Sequence, residues 1–273
     1  MYKIVEKNVL NNSVTSLTFE APLISKKVKP GQFVIVRIDE KGERIPLTVA
    51  DFNSEKGTLK IIFQAIGTTT KRLAELSVGD SILDLVGPLG QPTEFGSPKK
   101  AIVVGGGVGC AIAYPQAKAL YNMGVDTTVI AGFRNKDIVI LEEEMKKVSN
   151  SLYITTDDGS YGRKGFVTEV LAELIEKDSY DLVIAIGPVP MMKFVVKTAE
   201  QKNIKTIVSL NPIMIDGTGM CGGCRVIVGG ETKFACVDGP DFDGSLVDFD
   251  SLMKRNGFYK EEEEHSCRLG GYK

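Results

Sequence analysis

The chain has 273 residues, 43% of them hydrophobic and 25% charged, with a net charge of −2. That length and balance suit two ordinary folded domains, and the near-neutral charge excludes the strongly basic surface of a nucleic-acid binder. No apolar run reaches the length of a membrane span and Met1–Lys7 lacks a signal-peptide core, so neither nucleic acid nor a membrane is expected as a partner.

Residues 1–97 read as short apolar runs separated by turn signals. The runs are Lys3–Leu10, Val14–Glu20, Gln32–Ile38, Leu47–Asp51, Thr58–Ala65 and Ser81–Val86. Asn11-Asn12, Pro30-Gly31, Lys41-Gly42, Lys56-Gly57 and Gly79-Asp80 separate them. Short strands at this spacing predict an antiparallel six-stranded β-barrel or sandwich. One helix interrupts, from about Thr69 to Leu76, opened by Gly67, Thr68, Thr69 and Thr70. Threonine caps helices well, but a glycine followed by hydroxyls at a helix start also suits an anion. Arg44, Pro46, Leu47 and Thr48 add a guanidinium fork and a hydroxyl on a neighbouring strand, a second phosphate-compatible group. The plainer reading is a solvated arginine beside an edge-strand proline.

Residues 98–210 alternate strand and helix and predict a doubly wound parallel α/β domain. Strands are expected at Ala101–Val104, Thr127–Ala131, Leu152–Thr156, Asp181–Ile186 and Ile204–Leu210. Helices are expected at Cys110–Asn122, Glu142–Val148, Val167–Ile175 and Met191–Gln201. Gly105, Gly106, Gly107, Val108 and Gly109 occupy the first strand-to-helix turn, where backbone must approach a pyrophosphate. Ala111 or Ala113 would supply the close helix packing. Gly187-Pro188 repeats the arrangement at a later strand end. Asp157 and Asp158 end another strand. Carboxylates there accept from a ribose hydroxyl and repel a 2′-phosphate, which favours NAD(H); a solvated acidic turn is the alternative.

Residues 211–250 carry Asp216, Cys221, Cys224 and Cys236 in the pattern Asp-x4-Cys-x2-Cys-x11-Cys. The plant-type [2Fe–2S] spacing is Cys-x4-Cys-x2-Cys with a distant fourth cysteine. Here a carboxylate stands at the first position. Intervening glycines let backbone N–H groups approach the sulfur atoms. Structural zinc and ordinary buried cysteines are the competing readings, and Asp216 is either a ligand or a bystander. Residues 251–273 form a tail with Glu261–Glu264, His265 and Cys267, read as a solvated end with a docking segment as the alternative. Cys110 is most simply a small buried residue. Five cysteines, an odd number without a disulfide framework, fit a reducing cytoplasm.

A barrel, a nucleotide domain and then an iron–sulfur loop, with these motifs, resembles the ferredoxin–NADP reductase superfamily across nearly the whole chain. Arg44-Ile-Pro-Leu-Thr48 is similar to its Arg-x-Tyr-Ser/Thr flavin motif, with an additional residue and Leu47 in place of the aromatic. The resemblance implies that Arg44 binds the FAD pyrophosphate, that Thr48 lies near flavin N5, and that Gly67–Thr70 hold FAD phosphate. It assigns 105–109 and Gly187-Pro188 to nicotinamide nucleotide. Ile186 stands where the superfamily often has cysteine. Two groups of electron-transfer subunits carry such a C-terminal loop. One serves dihydroorotate dehydrogenase and has four cysteines. The other is the small subunit of NADH-dependent reduced ferredoxin:NADP+ oxidoreductases, and Asp216 resembles that group more closely. The implied function is electron transfer between NAD(H), FAD and a [2Fe–2S] cluster, onward to a larger flavin and [4Fe–4S] partner in an electron-bifurcating enzyme. A dihydroorotate-type partner and a non-enzymatic redox sensor are the alternatives.

Overall fold

The computed structural model describes residues 1–258 and 260–269; positions 259 and 270–273 of the expected tail lie outside the described residues. The barrel contains β1 (Tyr2–Val9), β2 (Val14–Glu20), α1 (Pro22–Ser25), β3 (Phe33–Arg37), β4 (Ile45–Asn53), β5 (Thr58–Gln64), α2 (Thr68–Glu75), β6 (Ser81–Ile82) and β7 (Asp84–Leu89). Its strands pair in the order β6-β1-β2-β5-β4-β3-β7. The sixth expected run divides at Leu83. One half joins β1 and the other joins β3, so a single extended segment bridges both edges and nearly closes the sheet. Closure of this kind hides the edges that an open sheet would leave unpaired. On β4, Ile45 and Leu47 pack partly against the barrel core around Leu17, Phe19, Ile61 and Leu85, and all four residues from Ile45 to Thr48 border the cavity outside it.

The second sheet begins with β8 (Lys100–Gly106), followed by α3 (Cys110–Asn122), β9 (Asp126–Phe133), α4 (Glu142–Lys147), β10 (Ser151–Thr156), β11 (Arg163–Lys164), α5 (Val167–Lys177), β12 (Leu182–Ile186), α6 (Val189–Glu200) and β13 (Lys205–Ser209). β8 and β12 are buried along almost their whole length, as strands covered on both faces must be. α5 buries Val167, Val170, Leu171 and Ile175, one apolar stripe at helical spacing. Strand order is β11-β10-β9-β8-β12-β13, all parallel. Order reverses between β8 and β12, and ligands of such sheets bind beyond the strand ends at that point.

After β13 the chain crosses to the barrel and forms the 211–224 loop, a hairpin of β14 (Arg225–Val228) and β15 (Glu231–Phe234), then β16 (Asp241–Asp243), α7 (Phe249–Asn256) and α8 (Lys260–Leu269). β16 returns antiparallel to β13 and ties this segment into the nucleotide sheet. Asp248 caps α7 by accepting from Ser251 N–H at 2.9 Å. The tail read as a solvated end is thus helical over its described part, consistent with its four consecutive glutamates, which are good helix formers. No helix among the described residues is long and apolar enough to cross a membrane.

Candidate functional site

Two cavities meet where the sheets face each other. The first, about 910 Å³, is lined by Pro46, Leu47, Thr48, Gly67, Thr68, Thr69 and Thr70, with Phe33, Gln64 and Val108. The barrel thus brings together the outward face of β4 and the N-terminal turn of α2. The first N–H groups of a helix lack partners within it. The three hydroxyls have local duties: Thr70 Oγ1 accepts from Gly67 N–H at 3.1 Å, Thr69 donates to Glu43 at 2.5 Å, and Thr68 donates to Cys267 Sγ at 3.4 Å. Backbone is therefore the better anion donor here.

The second cavity, about 640 Å³, lies over the switch point and is lined by Gly106, Gly107, Val108, Gly109, Gly187, Pro188, Asp157 and Arg134. A Cβ on Gly107 would meet nothing within 4 Å, so its backbone is open to a ligand, and its φ of +56° suits glycine. Gly109 has the opposite reason to be glycine: a Cβ there would lie 2.6 Å from the Ile186 carbonyl oxygen. Gly105 lies behind the turn, where a Cβ would stand 2.8 Å from Cys110 Sγ and 3.2 Å from Ala113 Cβ; Cys110 and Ala113 together supply the close packing. The two acidic residues separate. Asp157 lines the cavity. Asp158 instead accepts from Ser160 N–H at 2.9 Å and Ser160 Oγ at 2.6 Å, contacts that hold its carboxyl below the usual range. Gln64, Val108, Ile112, Ser209 and Asn211 line both cavities and form their common wall. Neither Gln64 nor Asn211 carries a motif, and only the packing of β5 and the end of β13 reveals them.

The cysteine loop packs on the barrel beside the first cavity. A Cβ on Gly217 would stand 2.8 Å from Leu89 and 3.0 Å from Ile35. Its donors fall into two pairs. The β14–β15 hairpin places Cys224 Sγ and Cys236 Sγ 3.2 Å apart. Asp216 lies beside Cys221, whose N–H donates to its Oδ2 at 2.9 Å. Two donors for each of two irons is what a [2Fe–2S] group requires. Among the described residues no three His, Cys, Asp or Glu side chains converge on a single-ion site. N–H groups already address the sulfurs: Gly223 N–H lies 3.4 Å from Cys221 Sγ, and the Gly219 backbone bonds Cys236. Burial, then the neighbouring Cys224, pushes the Cys236 thiol up. A thiol so placed ionises readily only with a cation beside it. The donor chemistry therefore fits a cluster.

Asp216 also organises its own loop. It accepts from the N–H groups of Thr218 at 2.9 Å, Met220 at 3.0 Å and Cys221 at 2.9 Å. These bonds, Thr218 first, lower its carboxyl below the ordinary value. Arg44 does not line the first cavity. It lines an adjoining space of about 680 Å³ with Ile45, Pro46 and residues 211–215, and donates to the carbonyls of Ile215 and Asp216.

Residues 211–248 match the iron–sulfur cluster binding domain of dihydroorotate dehydrogenase B, and residues 103–197 match an oxidoreductase NAD-binding domain. A dihydroorotate dehydrogenase B (NAD(+)) electron transfer subunit homolog from Thermotoga maritima is 48% identical, covering 97% of this chain and 93% of that protein. The electron transfer subunit of dihydroorotate dehydrogenase B from Shouchella clausii is 34% identical over 88% of this chain and 94% of its own length. A chain of the solved NADH-dependent reduced ferredoxin–NADP oxidoreductase, a structure described for flavin-based electron bifurcation, superposes with a TM-score of 0.93. It is 46% identical and covers 98% of this chain and 97% of that one.

Proposed function

The chain belongs to the family of dihydroorotate dehydrogenase B electron-transfer subunits and their homologues, with a ferredoxin-reductase fold, and on that premise we propose that it is the small subunit of an electron-bifurcating NADH-dependent ferredoxin–NADP oxidoreductase. It is an oxidoreductase subunit for FAD, NAD(H) and an iron–sulfur cluster, and it works with a larger partner. The partner is proposed to carry flavin and [4Fe–4S] groups, because the five cysteines of this chain do not suffice for more clusters.

One observation carries this reading: the two cavities share a wall, and the loop with Asp216, Cys221, Cys224 and Cys236 abuts the barrel beside them. The bound groups supply hydride acceptance at FAD and single-electron carriage at the cluster. The residues of the chain supply position. The backbone of Gly106–Gly109 receives the dinucleotide pyrophosphate at the start of α3, with Gly187-Pro188 opposite. Asp157 accepts from the ribose hydroxyls. Thr48, Pro46 and Leu47 line the flavin side, with the N-terminal turn of α2 toward its phosphates. Asp216, Cys221, Cys224 and Cys236 ligate the cluster. No side chain need move a proton, since a hydride carries its own.

The dihydroorotate-type reading shares every element but the partner. Asp216 at the first ligand position favours the proposed assignment. Anaerobic titration of the reconstituted chain with NADH is expected to bleach flavin absorbance and then generate the signal of a reduced cluster. A chain that stays colourless after exposure to FAD, iron and sulfide would overturn the proposal. Co-purification with an FMN barrel in place of a [4Fe–4S] subunit would move it to the alternative.

A further inference from the structure

Two guanidinium groups from separate parts of the fold hold the cysteine loop. Arg44, immediately before β4, donates from Nε to the Ile215 carbonyl and from an Nη to the Asp216 carbonyl, both at 3.3 Å. Arg255 on α7 donates from an Nη to the Gly223 carbonyl at 3.2 Å, and its Nε is buried without a hydrogen-bond partner. The three carbonyls bracket Asp216 and Cys221 and end one residue short of Cys224. Among the described residues neither guanidinium is within ion-pair distance of a carboxylate, although twelve such pairs occur elsewhere in the chain. Both are only partly exposed. Arg255 also lies 5.8 Å from the centre of the Phe258 ring, so neither charge is offset by a carboxylate.

We propose that Arg44 and Arg255 form a clamp that fixes the geometry of the cluster loop and raises the reduction potential of the group it holds. This rests on the cluster reading given above. Reduction adds a negative charge to an already anionic group, and fixed cations favour the more negative form. Arg44 has a second consequence. Pro46 and Thr48, two and four residues further on, line the first cavity. One short segment therefore contacts both the first cavity and the loop, and would tie the two together when both groups are bound. The planar fork of arginine reaches two successive carbonyls; the point charge of lysine would reach one. Both arginines act through the loop and are positioning residues.

The test compares wild type with Arg44→Gln, Arg44→Lys and Arg255→Gln after anaerobic reconstitution with FAD, iron and sulfide. The readouts are FAD, iron and sulfide per chain, the cluster potential by EPR-monitored titration, and the rate of iron release to a chelator. FAD content is expected to stay at the wild-type level in Arg255→Gln, which lies outside the flavin motif. Both glutamine variants are expected to titrate at lower potential and to release iron about tenfold faster, the size of one lost hydrogen bond to a charged group. Arg44→Lys is expected to recover the potential but not the slow release. A glutamine variant that binds FAD yet takes up no cluster supports the clamp. Wild-type potential and release rate in both glutamine variants would overturn it. Loss of FAD from Arg44→Gln with an unaltered cluster would assign Arg44 to the flavin phosphates instead. Wild type that takes up no iron or sulfide would overturn the cluster reading and the clamp with it; a wild type that loads normally beside unchanged variants overturns the clamp alone.

Discussion

At position 216 one carboxylate holds its loop more strongly than a thiolate would. It accepts three backbone N–H groups within its own loop. An Asp216→Cys variant is expected to alter the visible and circular-dichroism spectra of the reconstituted cluster, because the ligand changes, and to lower the melting temperature of the apo chain, because sulfur is a weak acceptor. An unchanged cluster spectrum would make Asp216 a loop cap alone. Asp241 presents the opposite electrostatic case. The residue is half-buried, with Oδ2 accepting from Thr93 at 2.5 Å and Gln116 at 3.2 Å, while its Oδ1 and Gln116 Oε1 are shielded from solvent and lack partners. Burial pushes its carboxyl above the usual 3.8, against the opposing pull of the neighbouring Ser209, Thr93 and Gln116 side chains. The folded chain then holds a proton that the unfolded chain releases. Stability is therefore greatest below pH 3.8 as far as this group is concerned, and falls as pH rises from there through the folded value. Asp241→Asn is expected to remove that decline and to raise the melting temperature at pH 8 relative to wild type, its amide giving a donor beside the orphan Gln116 oxygen. Equal melting curves across pH would show that the carboxyl is not protonated in the fold. Nothing in the sequence marks Asp241, since its burial comes from three segments meeting.

At the scale of elements, the turn between β8 and α3 is defined by what each glycine faces. Gly109 has an ordinary φ, yet its Cβ would meet the Ile186 carbonyl at 2.6 Å and Gly187 Cα at 2.9 Å, both rigid backbone. The same addition at Gly106 meets the flexible Met191 sulfur at 2.4 Å. Gly109→Ala is expected to cost about 1–3 kcal/mol by overpacking and to weaken NADH binding, with Gly106→Ala milder on both counts. Melting and NADH titration of the two variants check the order; equal penalties would remove the close approach as its cause. This turn was legible because five residues in a row, 105–109, announce a strand-to-helix junction. The parallel strands were legible for a similar reason, since full burial leaves continuous apolar runs such as Leu182–Ile186. The β14–β15 hairpin was not legible. Its strands have four residues each, one face remains exposed, and Gly229-Gly230 sits among loop-like neighbours. Yet this hairpin brings Cys224 to Cys236. The spacing announced the cysteines as a set, while the means of joining them appeared only in the fold. Arg44 was readable as an anion-binding arginine, but its contact with carbonyls 171 and 172 residues away was beyond any local pattern.

The whole molecule is built as one packing unit. Phe33 and Ile35 of the barrel belong to the same buried cluster as Val104, Met192 and Cys224. Val14, Ala50 and Ile62 join the cluster around α3, β8 and β9. The Lys118–Asp51 ion pair at 2.8 Å and the Gln91 bonds to the backbone of Val237 and Gly239 cross the same seams. Partly exposed pairs of this sort are worth little singly, so the apolar contacts carry the coupling. An apo chain with shared cores is expected to melt in one transition, with matching calorimetric and van't Hoff enthalpies. A fragment of residues 1–97 would bare Val14, Phe33, Ile35, Ala50 and Ile62 together, a patch that monomers rarely leave exposed. It is expected to bind a hydrophobic dye and self-associate, whereas the full chain does not. Two resolved transitions, or a monomeric and dye-silent fragment, would show that the barrel is independent of its neighbours. The distinction bears on electron transfer: a seam held by a common core keeps the flavin side, the dinucleotide turn and the cluster loop at fixed separations, and fixed separation is what passage of single electrons between bound groups requires of the protein.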